Sequence, residues 1–376
     1  MTDPRTFPDA AAAPAEFARL HGAAQASLAA ETGLAAAARD REIADALDAW
    51  LTPGSGPRLA ALLASAPSAA VHRHLWRVLA ERERAGAPDP AQLLRLFAIP
   101  VVVVAGIEGA ARAAVVLPGV VDDIGPLEAL LREHRALAGH QTFTLGNALA
   151  AADELEPARL PELLQWRALA EAPGVRAVAP APMTVTGGTE GVFLRFLVGT
   201  VLAAPGADPL RDGAVGAWGI PFARALGQSL AAPGISLLAL PRAPQPLTTA
   251  LWQGHLAQRE VGAQLFASNA IRKLRAATGE PSAAISVHRV DTPAGGGEVR
   301  LSLSSPFDPR EAEGFRYPLL PLDRVEDVVQ MLTTLMADCR ITDVRVLSGV
   351  HADRDAATGL TLLFKAGDLP PAAAVH

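Results

Sequence analysis

Apolar and polar positions alternate with two periods along this chain, and the changes between them mark out the elements. Residues 1–30 are dominated by alanine, with Pro4, Pro8 and Pro14, and read as a weakly ordered leader. Helical spacing then runs over residues 34–51 and stops at Thr52-Pro53-Gly54-Ser55-Gly56-Pro57, a run of turn formers that no helix continues. Leu59, Leu62 and Leu63 open another helical stripe, and Val71, Leu75, Val78 and Leu79 a third. The first hundred residues are therefore expected to be mostly helical.

The period changes at residues 99–105, a β-branched run. With the turn at Gly106-Ile107-Glu108-Gly109 and the apolar stretch at 111–117 it predicts a β-hairpin. A helix over 124–138, a short strand over 141–145 and a helix over 157–170 follow. Prolines and a glycine between 171 and 182 suggest a boundary, dividing the chain into domains at 31–175 and 176–370. Past it, residues 183–186 and 192–201 read as a second hairpin around Gly187-Gly188, and a helix is expected over 221–231.

The clearest pattern starts at residue 235: a strand over 235–240, a long helix over 247–277, and strands over 283–290 and 298–304. A helix opened by the capping-box pattern Asp323-Arg324-Val325-Glu326 comes next, then strands over 343–347 and 360–365. The fold class is α/β: a helical N-terminal region and two α/β units. The order β-α-β-β-α-β with an added strand makes the C-terminal unit ferredoxin-like. Segments 99–146 and 283–347 share one order of elements, which raises the idea of a duplication.

Composition narrows the function classes. Half of the 376 residues are apolar and 19% are charged, enough to bury a core in each of two domains. Against 39 acidic side chains stand 33 basic ones, a net charge of −6 that offers no overall attraction to nucleic acid or to an anionic membrane. Lys273 and Lys365 are the chain's two lysines, the arginine bias expected of a GC-rich, bacterial-like coding sequence. Cys339 is alone, which rules out an intrachain disulfide and fits a reducing, cytoplasmic compartment. The first thirty residues lack a basic stretch followed by an apolar core, so no secretory signal is expected. The most apolar windows, 193–204 and 230–240, fall short of the ~20 residues that a spanning helix needs.

Candidate chemistry is sparse. Gly106 and Gly109 after a strand resemble a phosphate loop only superficially, because Val104 stands where the first glycine of a dinucleotide fingerprint belongs. Gly227-Gln228-Ser229-Leu230-Ala231 lacks the closing glycine of a nucleophile elbow and lies in an expected helix. His72 and His74, two apart on a helix, point about 200° from each other and read as surface residues rather than as a metal pair. Cys339, at the end of a helix, reads as a small buried side chain. His351, Asp353 and Asp355 form the better metal candidate, since alternate residues of an extended segment share one face, although a hydrogen-bonded turn is the favoured account of the two aspartates.

On the long helix, Gln264, Ser268 and Arg272 recur every four residues and form one stripe. With Arg259, and Arg242 from the preceding loop, this stripe is the candidate binding surface for an acidic partner, set against the plainer reading of a solvated helix face. The leading expectation is a non-catalytic protein-binding, scaffold or regulatory protein. It acts through its C-terminal α/β domain on another protein or on itself, without nucleic acid, membrane or cofactor. The alternative is a metal-assisted hydrolase that uses His351, Asp353 and Asp355.

Overall fold

The computed structural model describes residues 14–85, 94–107, 114–137, 142–165, 181–187, 191–202, 210, 215–290, 296–305 and 312–352. Helices and strands are mixed, as an α/β chain requires. The chain divides into two compact units between Gln258 and Arg259.

The first unit opens with α1 (Ala15–Leu28), α2 (Gly33–Trp50), α3 (Gly56–Ala64) and α4 (Ala69–Ala85). The expected weakly ordered leader is corrected from residue 15 onward. Alanine is the strongest helix former, and Phe17, Leu20 and Ala24 give α1 a buried face. Asp40 of α2 ties three helices together: Ser27 Oγ donates to it at 2.6 Å, His74 Nε2 lies at 2.8 Å, and Arg77 Nη2 donates at 2.7 Å. Burial works against ionisation of Asp40, but the hydrogen bonds from Ser27, Arg77 and His74 outweigh it and hold the carboxyl below its ordinary range.

Next come β1 (Leu94–Ile107), β2 (Ala114–Leu117), α5 (Gly125–Glu133), β3 (Phe143–Ala150), α6 (Leu160–Gln165), β4 (Met183–Thr186), β5 (Gly191–Leu202), α7 (Val215–Leu230) and β6 (Ile235–Pro241). Neither expected hairpin forms. β1 runs antiparallel between β5 and β6 in a sheet of order β3-β5-β1-β6, while β2 pairs with β4 in a separate two-stranded ribbon. A strand as apolar and buried as β1 must pair its main-chain groups along both edges, and two distant strands, β5 and β6, supply those partners. The boundary expected near 175 falls away for the same reason, because β5 and β6 complete the sheet that β1 begins.

The helix α8 (Leu247–Thr278) starts in the first unit and ends in the second. The buried Glu83 carboxylate caps its start, accepting from the backbone N–H of Leu247, from that of Thr248 at 2.9 Å and from Thr248 Oγ1 at 2.6 Å. Within the first unit α8 lies so close to β5 that a Cβ on Gly254 would come within 2.9 Å of Leu194 and Phe196.

The second unit contains β7 (Ser282–Val290), β8 (Gly296–Ser304), β9 (Ala312–Pro318), α9 (Val325–Asp338) and β10 (Val344–Ala352), in a sheet of order β10-β7-β8-β9. β7, β8 and β9 form an antiparallel meander, and α9 carries the chain over to β10, parallel to β7. The ferredoxin-like arrangement is corrected, because β6 belongs to the first sheet and β9, which the sequence reading missed, takes the fourth place. The idea of a duplication fails on the same pairings: β7 and β8 form a hairpin, whereas β1 and β2 lie in different sheets. The core joins Ala263, Ala267, Ile271 and Leu274 of α8 and Val328 and Leu332 of α9 to the inner face of this sheet. The expected capping box does not form: Arg324 is the N-cap without a side-chain bond, and Asp323 is engaged elsewhere. The expected strand at 360–365 lies outside the described residues.

Candidate functional site

The outward side of α8 in the second unit keeps the predicted stripe. Gln264, Ser268 and Arg272 are all exposed, on the side away from the alanine-rich face that enters the core. Ser268, Ile271, Arg272 and Arg275, together with Cys339 at the end of α9, line an open cleft of about 400 Å³. Arg275 is held in place: it donates to Glu280 at 2.9 Å and to the Cys339 carbonyl at 3.2 Å, a cation on the negative end of α9. Arg272 Nη2 donates to Asn269 Oδ1 at 2.8 Å and remains exposed. The cleft thus offers two guanidinium groups and a hydroxyl around the apolar Ile271, a set suited to a carboxylate attached to an apolar stem. Burial and the neighbouring Asp338 push the Cys339 thiol up, and Arg275 offsets only part of this, so the half-buried sulfur is a wall of the cleft and not an activated nucleophile.

Two members of the expected stripe lie elsewhere. Arg259 turns inward: its guanidinium binds both oxygens of Asp323, donates to the Pro318 carbonyl at 2.8 Å and lies 4.8 Å from the centre of the Tyr317 ring, leaving its side chain 10% exposed. Arg259 precedes Gln264 by five residues, which at 3.6 residues per turn sets it about 140° around the helix from the stripe, and there it faces the sheet. Arg242 belongs to the first unit, where its backbone N–H donates to the Pro100 carbonyl at 2.8 Å.

The metal candidate is only partly visible. His351 stands in β10 at the register position beside His288 of β7, and Asp353 and Asp355 lie outside the described residues. Among the described residues no group of three or more His, Cys, Asp or Glu is placed to hold a metal ion. His72 and His74, expected at the surface, are buried: His72 Nδ1 lies 2.9 Å from the Leu63 carbonyl, and His74 is bound to Asp40.

Sequence reading missed a polar layer on the sheet face opposite α8 and α9. Ser286 and His288 on β7 and Glu298, Arg300 and Ser302 on β8 are all buried, with His288 opposite Glu298 and Ser286 opposite Arg300. Ser286 Oγ lies 2.8 Å from His288 Nε2, Arg300 is paired with Glu298, and Arg316 of β9 approaches the same carboxylate at 3.8 Å. A serine bonded to an imidazole suggests nucleophilic chemistry. Here the nearby carboxylate is committed to arginines and none of the five residues is more than 6% exposed, so the layer orders the sheet. The signal was present in the strict alternation of Ala284, Ser286 and His288 and of Glu298, Arg300 and Ser302.

No family model, no curated protein and no solved structure matches the chain. Among the described residues no helix is long and apolar enough to cross a membrane.

Proposed function

We propose that the protein is a non-catalytic binding or scaffold protein whose C-terminal unit captures an acidic segment of another protein. The observation that carries this reading is the cleft on α8, where exposed Arg272 and anchored Arg275 flank Ser268 and Ile271. A guanidinium already tied to a carbonyl and a carboxylate loses little further freedom when a ligand arrives, which favours selective recognition over diffuse attraction. The net charge of −6 makes such a local basic site stand out against the rest of the chain.

Fluorescence anisotropy with a labelled glutamate-rich peptide containing leucines tests the proposal. The intact protein binds it, the affinity falls as salt rises, and Arg272→Glu weakens binding by about tenfold or more. If the peptide does not bind at low ionic strength, or binds Arg272→Glu equally well, the acidic-segment reading is wrong.

A further inference from the structure

The cleft on α8 is open, yet several of its polar groups already have partners, and the groups that remain define its ligand. Arg275 donates Nε to both oxygens of Glu280, at 3.0 and 3.1 Å, and Nη2 to the second of them at 2.9 Å and to the Cys339 carbonyl at 3.2 Å. A guanidinium gripped by a carboxylate in this way has its charge matched, and only its Nη1 group has donors to spare.

Arg272 is the opposite case. Its Nη2 donates to Asn269 Oδ1, a neutral acceptor, and among the described residues Arg272 makes no ion pair. It is also exposed. Ser268, one turn away, adds an uncommitted hydroxyl. Thr278, Thr333 and Thr334 turn their hydroxyls back to the carbonyl four residues earlier in the helix, at 3.2, 2.8 and 3.0 Å, whereas Ser268 makes no such bond among the described residues. Ile271, 4% exposed, lies between the polar groups and gives the cleft an apolar floor.

The negative groups set a ceiling on the charge that the cleft accepts. Glu280 offsets Arg275, and Asp338 lies close enough to raise the Cys339 thiol. Of the two lining arginines, Arg272 is therefore the one with no anion beside it. Attraction to that charge grows in proportion to the charge of the ligand, while the cost of stripping the ligand of water grows with its square. One carboxylate is neutralised by Arg272. A phosphate dianion brings a second charge towards Glu280 and Asp338, which repel it.

Building on the acidic-segment reading above, we infer that the cleft selects a single unmodified glutamate or aspartate side chain, and that Glu280 sets this choice by cancelling the charge of Arg275. The carboxylate accepts from Arg272 and from the Ser268 hydroxyl, with its methylenes over Ile271. Glu280 touches no ligand and acts through Arg275, as a positioning residue that fixes specificity.

Competition anisotropy on the full chain separates this assignment from the reading on which it rests. The labelled glutamate-rich peptide is displaced by two unlabelled peptides of one leucine-containing sequence, which carry a single glutamate or a single phosphoserine, at about pH 8 where phosphoserine is a dianion. On the parent chain the glutamate peptide competes at least as well as the phosphoserine peptide. Glu280→Gln removes the negative charge and keeps an acceptor for Arg275. It strengthens the glutamate peptide by about threefold and the phosphoserine peptide by about tenfold, because the same change in potential acts on twice the charge. Glu280→Asp retains the charge and keeps the order found for the parent chain. The Glu280 side chain is 71% exposed, so both variants fold, which the far-UV spectrum and melting temperature verify.

If the labelled peptide does not bind, the acidic-segment reading fails and takes this assignment with it. If it binds but the phosphoserine peptide competes several-fold better on the parent chain, the choice of a single carboxylate alone is overturned. The same holds if Glu280→Gln changes both peptides by one factor.

Discussion

His21 lies inside the helical region with Nε2 3.1 Å from the Leu62 carbonyl, so the neutral ring donates there, and its buried Nδ1 has no hydrogen-bond partner among the described residues. Burial, only partly offset by that bond, lowers its pKa below 6.5. The unfolded chain takes up this proton at a higher pH than the folded one. His21 thus adds stability that is complete above about 6.5 and is lost as pH falls through the folded-state value. His21→Gln, whose amide can make the same donation, should flatten the fall in urea midpoint between about pH 6.5 and 5 relative to the parent chain. An unchanged slope would place that acid sensitivity elsewhere. The arginine stripe was legible at this scale because spacing by four is a property of a helix itself. The inward turn of Arg259 was not, since it depends on Asp323 and Tyr317, some sixty positions along the chain.

At the scale of elements, α8 is where a pattern read from the sequence and an unforeseen contact meet. Its extent was legible, from the loop at Pro246 to Gly279, because helix propensity and stop signals are local. Its anchor was not: Glu83 sits in an unremarkable run, Glu-Arg-Glu-Arg, and only folding carries it to the first turn of α8. A buried carboxylate that accepts two backbone N–H groups and a hydroxyl is difficult to replace. Glu83→Gln should cost about 2–4 kcal/mol, measured as a drop in chemical-denaturation midpoint without loss of helix content in the folded state. The strands tell the same story. Each run of β-branched residues was found, but partners were assigned to sequence neighbours, and pairing is decided by which faces remain to be covered.

For the whole molecule the consequence is that the first unit cannot be cut where composition suggests. A fragment of residues 1–175 retains β1 but loses β5 and β6, both of its partners. It should fail to fold, giving a non-cooperative thermal transition and strong binding of an apolar dye, whereas the full chain melts cooperatively. A cooperatively folded fragment would show that the helical region and β1 suffice alone.

The sequence by itself determined the class of the molecule, the limits of α2, α8, β5, β7 and β8 to within two residues, and the exposed line of Gln264, Ser268 and Arg272, because each depends on periodicity, capping and turn chemistry within a few residues. Tertiary structure alone decided which strands share a sheet, that Arg259 and Glu83 serve the interior, and that Cys339 and Arg275 complete a cleft. These outcomes arise from matching buried faces and polar groups across distances of sixty to more than a hundred residues, and no local pattern encodes such a match.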